Sequence, residues 1–313
     1  MHPAYSVIFF TVASGTGYGL LILLALLWLA GVLPADLWFG LVAMALALGM
    51  IGAGLLSSTF HLGRPERAWR AFSQWRSSWL SREGVLAVVS FPAALAMGYG
   101  RLLADSGWWP AAAAATLLLS LATVFATSMI YRSLKPIRQW DNPWVVVNYL
   151  ALSLFGGALW LNGLASLFGL AGARWSWLAL ALLLVGAAAK LAYWRSIDRG
   201  ASVSTPESAT GLGAIGRVRP LDPPHTEENY VQQEMGYRIA RKHAARLRLT
   251  AVLGAFALPA ALVIIGLVMP GRLAAAPALL AAVFATGGLL VERWLFFAEA
   301  KHTVTLYYGA ERV

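Results

Sequence analysis

Cysteine is absent from the 313 residues, so the chain forms no disulfide and offers no thiolate to an iron–sulfur cluster. Its redox compartment therefore cannot be read from cysteine usage. Charge is scarce as well. Asp, Glu, Lys and Arg make up 12% of the residues, about half of the roughly 25% carried by a soluble domain. The only histidines are His2, His61, His225, His243 and His302, and none stands midway along an apolar run. Two imidazoles facing each other inside a bilayer, as a bis-histidine haem requires, are not available.

Apolar residues fill the space that charge leaves, at 59% of the chain. Uncharged or nearly uncharged runs cover 7–31, 37–60, 84–103, 110–131, 144–168, 175–194, 249–269 and 274–297. Each reaches about the 20 residues needed to cross a hydrocarbon core of about 30 Å. Backbone in lipid must satisfy its own hydrogen bonds, and Leu/Ala-rich runs of this length do so as helices. The expected fold is an all-α integral membrane protein, a single anchor-like domain over 1–313 with eight transmembrane helices in a bundle. The first run begins near Val7 with no Lys or Arg before it and no small-residue cleavage site, and reads as a retained helix rather than a signal peptide.

With eight spans, both termini and the connections 61–83, 132–143 and 195–248 share one side. That side carries 19 of the 24 Lys and Arg, against Arg101, Arg174 and Arg272 on the other. Such asymmetry places the basic side in the cytoplasm and explains the net charge of +10 without nucleic acid. Trp108, Trp109, Trp140, Trp144, Trp175, Trp177, Trp194, Trp294, Tyr307 and Tyr308 cluster at span ends and read as interface anchors. Gly15 and Gly19, with Gly49, Ala53 and Gly54, suit close helix packing.

The segment His61-Leu62-Gly63-Arg64-Pro65-Glu66-Arg67 closes the second span, with Gly63 as a C-cap and Pro65 preventing continuation. Trp69, Phe72, Arg76 and Trp79 then fall at helical spacing, which predicts a short helix lying in the headgroup region. Ser81 is a plausible N-cap for the third span, and Glu83 suits its positive end. His61 and Glu83 thus reach similar depth near the cytoplasmic boundary. An imidazole there can hydrogen-bond a quinone carbonyl and exchange protons, and a carboxyl can relay them to water. The same residues also read simply as a cap and a dipole partner.

Near the end of the last span, Glu292 and Arg293 suggest a proton relay, a snorkelling pair or a helix-to-helix ion pair. Lys190 reads as snorkelling. Gly211, Gly213 and Gly216 spell G-x-G-x-x-G but follow no strand, so a dinucleotide site is not expected. Residues 200–227 should be irregular. Residues 228–248 should be helical, with Arg238, Arg241, Lys242, Arg246 and Arg248 touching anionic lipid, a partner subunit or both. A transporter would need polar interruptions near the midplane; Asn148, Asn162 and the Gly156-Gly157 pair are the candidates.

Through His61-Leu62-Gly63, Pro65, Arg67-Ala68, Leu80-Ser81 and Glu83, the sequence resembles the membrane-anchor subunits of dimethyl sulfoxide reductase-type molybdoenzymes (DmsC-like). Arg293, Phe296 and His302-Thr303-Val304 are a weaker echo. The resemblance implies an anchor that is not itself catalytic for the primary substrate and carries no haem. It binds quinone or quinol beside an iron–sulfur electron-transfer subunit and a molybdenum catalytic subunit, in a bacterial inner membrane. The family's functional His and Glu fall on His61 and Glu83. Gly63, Trp69 and Trp79 would border the ring, and Arg64 or Arg67 would steady negative charge developing on it. In the dimethyl sulfoxide reductase itself, the catalytic subunits and the anchor's termini face the periplasm, whereas here that side is the basic, cytoplasmic one. The opening Met1-His2-Pro3-Ala4-Tyr5-Ser6 and the long 195–248 connection are similar to anchors of cytoplasmic sulfite dehydrogenases (SoeC-like), which implies sulfite oxidation with electrons passed to quinone. The alternative is a reductase anchor that oxidises quinol.

Overall fold

The computed structural model describes residues 5–59, 62, 64–104, 106–170, 172–200, 204–222 and 238–313. Among them, eight helices are long and apolar enough to cross a membrane, and no strand occurs. They are α1 (Tyr5–Leu29), α2 (Leu37–Thr59), α3 (Trp79–Leu102), α4 (Trp109–Arg132), α5 (Trp144–Leu167), α6 (Ala173–Arg199), α7 (Ala244–Val268) and α8 (Ala275–Ala298). The chain is a multi-pass membrane protein.

Local chemistry sets the helix ends. The Asp36 carboxylate accepts from the Phe39 N–H at 2.8 Å and caps α2. Pro110 and Pro143 stand at the starts of α4 and α5, where a missing N–H costs nothing. In α7, the residues Leu253–Ala257 form a π-helical turn ahead of Pro259, which has no N–H for the helical ladder.

Helix α1 lies at the centre, packed by α2, α4, α5 and α8. Two close backbone crossings account for its glycines. A Cβ added at Gly19 would lie 1.8 Å from the Ser153 carbonyl oxygen of α5, and one at Gly157 would lie 2.3 Å from the Gly19 carbonyl carbon. Gly15 and Gly54 likewise sit close to neighbours. Gly49 meets nothing within 4 Å and lines an apolar groove of about 310 Å³ between α1, α2 and α8, so its expected packing role is not found.

The polar connections gather at one end and interlock. Arg248, at the base of α7, pairs with Asp198 at 2.6 and 2.8 Å and with Glu299 at 2.6 Å. Arg241 donates to the carbonyls of Ala298 and Ala300, and Thr303 donates to the Pro136 carbonyl. Together these segments enclose a polar cleft of about 620 Å³. The start of α1 belongs to the same end, since Ser57 near the end of α2 donates to the Ser6 carbonyl. Helix is observed at Arg238–Lys242 and onward; residues 223–237, including the rest of the helix expected over 228–248 and His225, lie outside the described residues. In the 200–227 stretch, Pro206–Thr210 forms one helical turn with a capping box at Thr205.

Several expectations are corrected. Trp140, Trp175 and Trp194 are buried rather than being interface anchors, and the Trp140 indole donates to the Phe296 carbonyl at 3.1 Å. Lys190 does not snorkel; its ammonium is buried against Glu292. Asn148 and Asn162 serve helix contacts. Asn148 donates to the Trp144 and Ala189 carbonyls, and Asn162 accepts from Ser176. Gly157 is the α1 crossing, and Asn148 Oδ1 and Asn162 Nδ2 are buried without a hydrogen-bond partner among the described residues.

Candidate functional site

After α2 ends at Thr59, residues 60, 61 and 63 lie outside the described residues, so the expected positions of His61 and Gly63 receive no structural account. Pro65–Gln74 winds as a 3-10 helix instead of the expected α-helix. Its period of three changes the ring-bearing face. Trp69, Phe72 and Trp75 align and all are exposed, whereas Arg76 lies off this row and Trp79 already belongs to α3. Trp75 escapes a reading from sequence, because the α-helical period selects position 76 in its place.

This segment docks on the start of α3. Phe72 covers Gly84, where an added Cβ would lie 2.9 Å from the ring. Ser81 is not the N-cap: Ser78 occupies that position, and the Ser81 hydroxyl donates to the Ala71 carbonyl and accepts from the Gln74 N–H. Arg82 clamps the preceding turn by donating to the carbonyls of Trp75 (3.0 Å) and Arg76 (2.6 Å), its guanidinium 4.3 Å over the Trp79 ring. Trp79 meets Phe125 of α4 edge-on at 5.8 Å. Arg64 and Arg67 lie on the exposed side of the segment.

Glu83 is one turn past Trp79 and points inward. It is only 4% exposed and accepts a hydrogen bond from the Thr127 hydroxyl of α4. This is deeper than the open boundary position expected from its place near the helix start. Around it lie further polar groups. Tyr18 of α1 and Ser90 of α3 share a 3.2 Å hydrogen bond, and Tyr131 follows Thr127 by one turn on the same face of α4. Tyr18, Tyr131 and Tyr149 of α5 are all within electrostatic reach of the Glu83 carboxylate.

Tyr131 and Phe297, both partly buried, pack with the buried Trp140, Tyr149 and Phe296, and Tyr131 stacks on Tyr149 at 5.9 Å. Arg293 lies over the other side of this cluster, its guanidinium 4.0 Å from the Tyr149 ring centre. Arg293 neighbours Glu292, which holds Lys190 of α6 in an ion pair. Of the readings open for Glu292 from sequence, the helix-to-helix pair is the one observed. His302 packs edge-on against Trp140 at 5.3 Å. Burial, aided by the nearby Arg241, pushes its imidazole down to about 4, so it is neutral at physiological pH. In the sequence, Glu292 stands out with its neighbour Arg293, but nothing there joins them to Lys190. That Lys190 pairs with Glu292, and that Arg293 and His302 reach the same aromatic cluster as Tyr131, is a tertiary fact with no signal in spacing.

Comparison with known proteins adds two findings. The family of DMSO reductase anchor subunits (DmsC) matches residues 1–215. The chain is also similar to a sulfite dehydrogenase subunit of Allochromatium vinosum, 35% identical over 330 aligned positions that cover 98% of this chain and 99% of that protein.

Proposed function

Since the chain belongs to the DMSO reductase anchor subunit (DmsC) family, membrane anchors of molybdoenzymes, we propose that it supplies the quinone site of its complex and passes electrons between an iron–sulfur partner and the quinone pool. One observation carries this reading. A carboxyl group, Glu83, is drawn into the bundle and held by Thr127 directly behind the segment that follows His61. Buried carboxyls in lipid are retained where they do chemistry.

The residues present fit a lipid-soluble carrier with a polar ring. Glu83 offers a protonatable group, while Trp79 and Phe125 offer flat apolar surface one turn away. His61 would hydrogen-bond the ring, Glu83 would hold and hand over a proton, and Arg64 or Arg67 would oppose negative charge. Gly63 and Trp69 complete the border. The carrier itself supplies two-electron, two-proton chemistry when bound.

The side on which the partners sit follows from charge. With 19 of the 24 Lys and Arg on the side of the termini, the interlocked polar end faces the bacterial cytoplasm, and the 3-10 segment lies in the headgroup region. The iron–sulfur subunit and the molybdenum subunit dock there, over the cleft. Sulfite is the proposed primary substrate, supported by the similarity to the sulfite dehydrogenase subunit, with electrons flowing toward quinone. The test is gentle detergent purification of the intact complex, with identification of bound proteins and metals. Sulfite-dependent reduction of an artificial dye and of decylubiquinone are then measured in wild type and His61→Ala. Loss of quinone reduction alone, with dye reduction and assembly kept, supports the assignment; unchanged quinone reduction removes His61 from it.

A further inference from the structure

Inside the membrane-spanning part, α6 and α8 bury three charges together. Lys190 is 1% exposed, Glu292 1% and Arg293 4%. Lys190 pairs with Glu292 Oε1, and Arg293 Nη2 stands 3.7 Å from Glu292 Oε2. One carboxylate faces two cations, so it can neutralise only one of them. A guanidinium keeps its proton at any working pH, whereas a lysine ammonium can give its proton up. Burial penalises uncompensated charge, so the trio has one member whose protonation is free to change, Lys190.

The trio is also incompletely bonded. Glu292 Oε2 and Arg293 Nε are buried without a hydrogen-bond partner among the described residues. A cavity of about 10 Å³ adjoins them, lined by Glu292 and Arg293 with Thr11, Thr16 and Ser153. That is about the space one water molecule needs, and hydroxyls, carboxylate and guanidinium supply the polar partners a buried water requires.

The trio lies between two sites already described. On one side, Arg293 covers Tyr149, which stacks on Tyr131, one turn from the Thr127 that holds Glu83. On the other, the Lys190 ammonium lies 4.4 Å from the Tyr193 ring centre and 4.9 Å from that of Trp194. Arg248 covers Trp194 at 5.3 Å and is bonded to Asp198 and Glu299 in the wall of the polar cleft. Glu299 follows Glu292 by two turns of α8. The groups facing Lys190 are therefore Glu292 and Arg293 from α8, Tyr193 and Trp194 from its own helix, and Glu299 just beyond α8.

A competing route from Glu83 would follow the buried Thr123, Ser120 and Thr116 along α4. That row leads toward the start of α4, away from the polar cleft that follows its end at Arg132, so it does not join Glu83 to the cleft.

We propose that Lys190 is a proton-exchange site between the Glu83 pocket and the aqueous cleft at the polar end. The inference rests on the quinone reading above. For each quinone reduced, two electrons come from the iron–sulfur partner and two protons pass from Glu83. Glu83 regains each of them from Lys190, with Arg293 keeping its own proton throughout, and Lys190 is reprotonated by water from the cleft. Electrons and protons thus enter from the same end, and the reverse path serves quinol oxidation.

The test uses the whole complex, reduced with a stoichiometric amount of dithionite and mixed with decylubiquinone. Reoxidation of the iron–sulfur clusters is followed by absorbance, so no primary substrate is needed. Two variants are compared with wild type: Lys190→Met, which leaves a neutral Glu292–Arg293 pair, and Lys190→Arg, which keeps the ion pair but cannot release its proton. Both should slow reoxidation about tenfold or more, enlarge the solvent deuterium isotope effect and flatten the pH profile. If Lys190→Arg restores wild-type rate and isotope effect, the lysine is only an ion-pair partner and the inference falls. If neither variant changes them, it falls as well. Wild-type clusters that decylubiquinone does not reoxidise at all would reject the quinone reading, and this one with it.

Discussion

The Thr127 hydroxyl of α4 donates to the Glu83 carboxylate of α3, a bond between two helices made where the bundle is closed to solvent. Replacing Thr127 with Val keeps the shape and removes the donor, leaving a buried acceptor unsatisfied, a change that costs about 1–3 kcal/mol. Thr127→Val should lower the unfolding temperature in detergent and slow quinone turnover, and Thr127→Ser should restore most of both. Thermal unfolding and decylubiquinone reduction on the same preparations check this.

The crossing of α1 and α5 leaves no room at Gly19, where a Cβ would overlap the Ser153 carbonyl. Overpacking usually costs about 1–3 kcal/mol, and backbone yields less readily than a side chain. Gly19→Ala should reduce the yield of folded protein sharply, while Gly49→Ala, facing open space, should leave it unchanged. Size-exclusion profiles of the two variants decide the matter.

Removing either member of the Lys190–Glu292 pair should not be equivalent. Glu292→Gln leaves Lys190 and Arg293 as two buried cations without a carboxylate, and breaking a buried pair in this way costs about 3–5 kcal/mol. Lys190→Met leaves Glu292 and Arg293 to compensate each other and should be distinctly milder. Equal losses of thermal stability would contradict the charge count.

His302 offers a pH dependence with a defined sign. Its folded value, about 4, is below the usual 6.5 because burial opposes the charged form. Its neutral form is favoured by the fold, so this contribution is complete above about pH 6.5 and is lost as pH falls toward 4. The 299–313 tail should stay docked at pH 7.5 and loosen near pH 5, read by hydrogen exchange of its amides. His302→Phe should remove the pH dependence and keep the contact with Trp140.

The eight spans are legible because lipid imposes a length and a composition that every span must meet. Their ends differ by a few residues, as at α7, which begins near Ala244 rather than at 249. What a single sequence does not display is which side chains meet. Lys190 and Glu292 are 102 positions apart, and a basic residue near a helix end looks the same whether it reaches for water or for a carboxylate. Trp140 and Trp194 have the composition of interface anchors but are covered by neighbouring segments. Glu83 stands out in the sequence, yet its position there suggests too shallow a place, because its depth depends on how α4 packs over α3.

At Gly254, Ala255 and Gly288 the backbones of α7 and α8 touch; a Cβ at Gly288 would lie 2.1 Å from the Ala255 nitrogen. Two rods in such contact cannot slide past each other, so they tilt together. Arg248 at the foot of one and Glu299 at the foot of the other therefore travel with Glu292 and Arg293 farther up. Under the docking proposed above, a push from a partner on that polar foot would reach the buried charges as leverage.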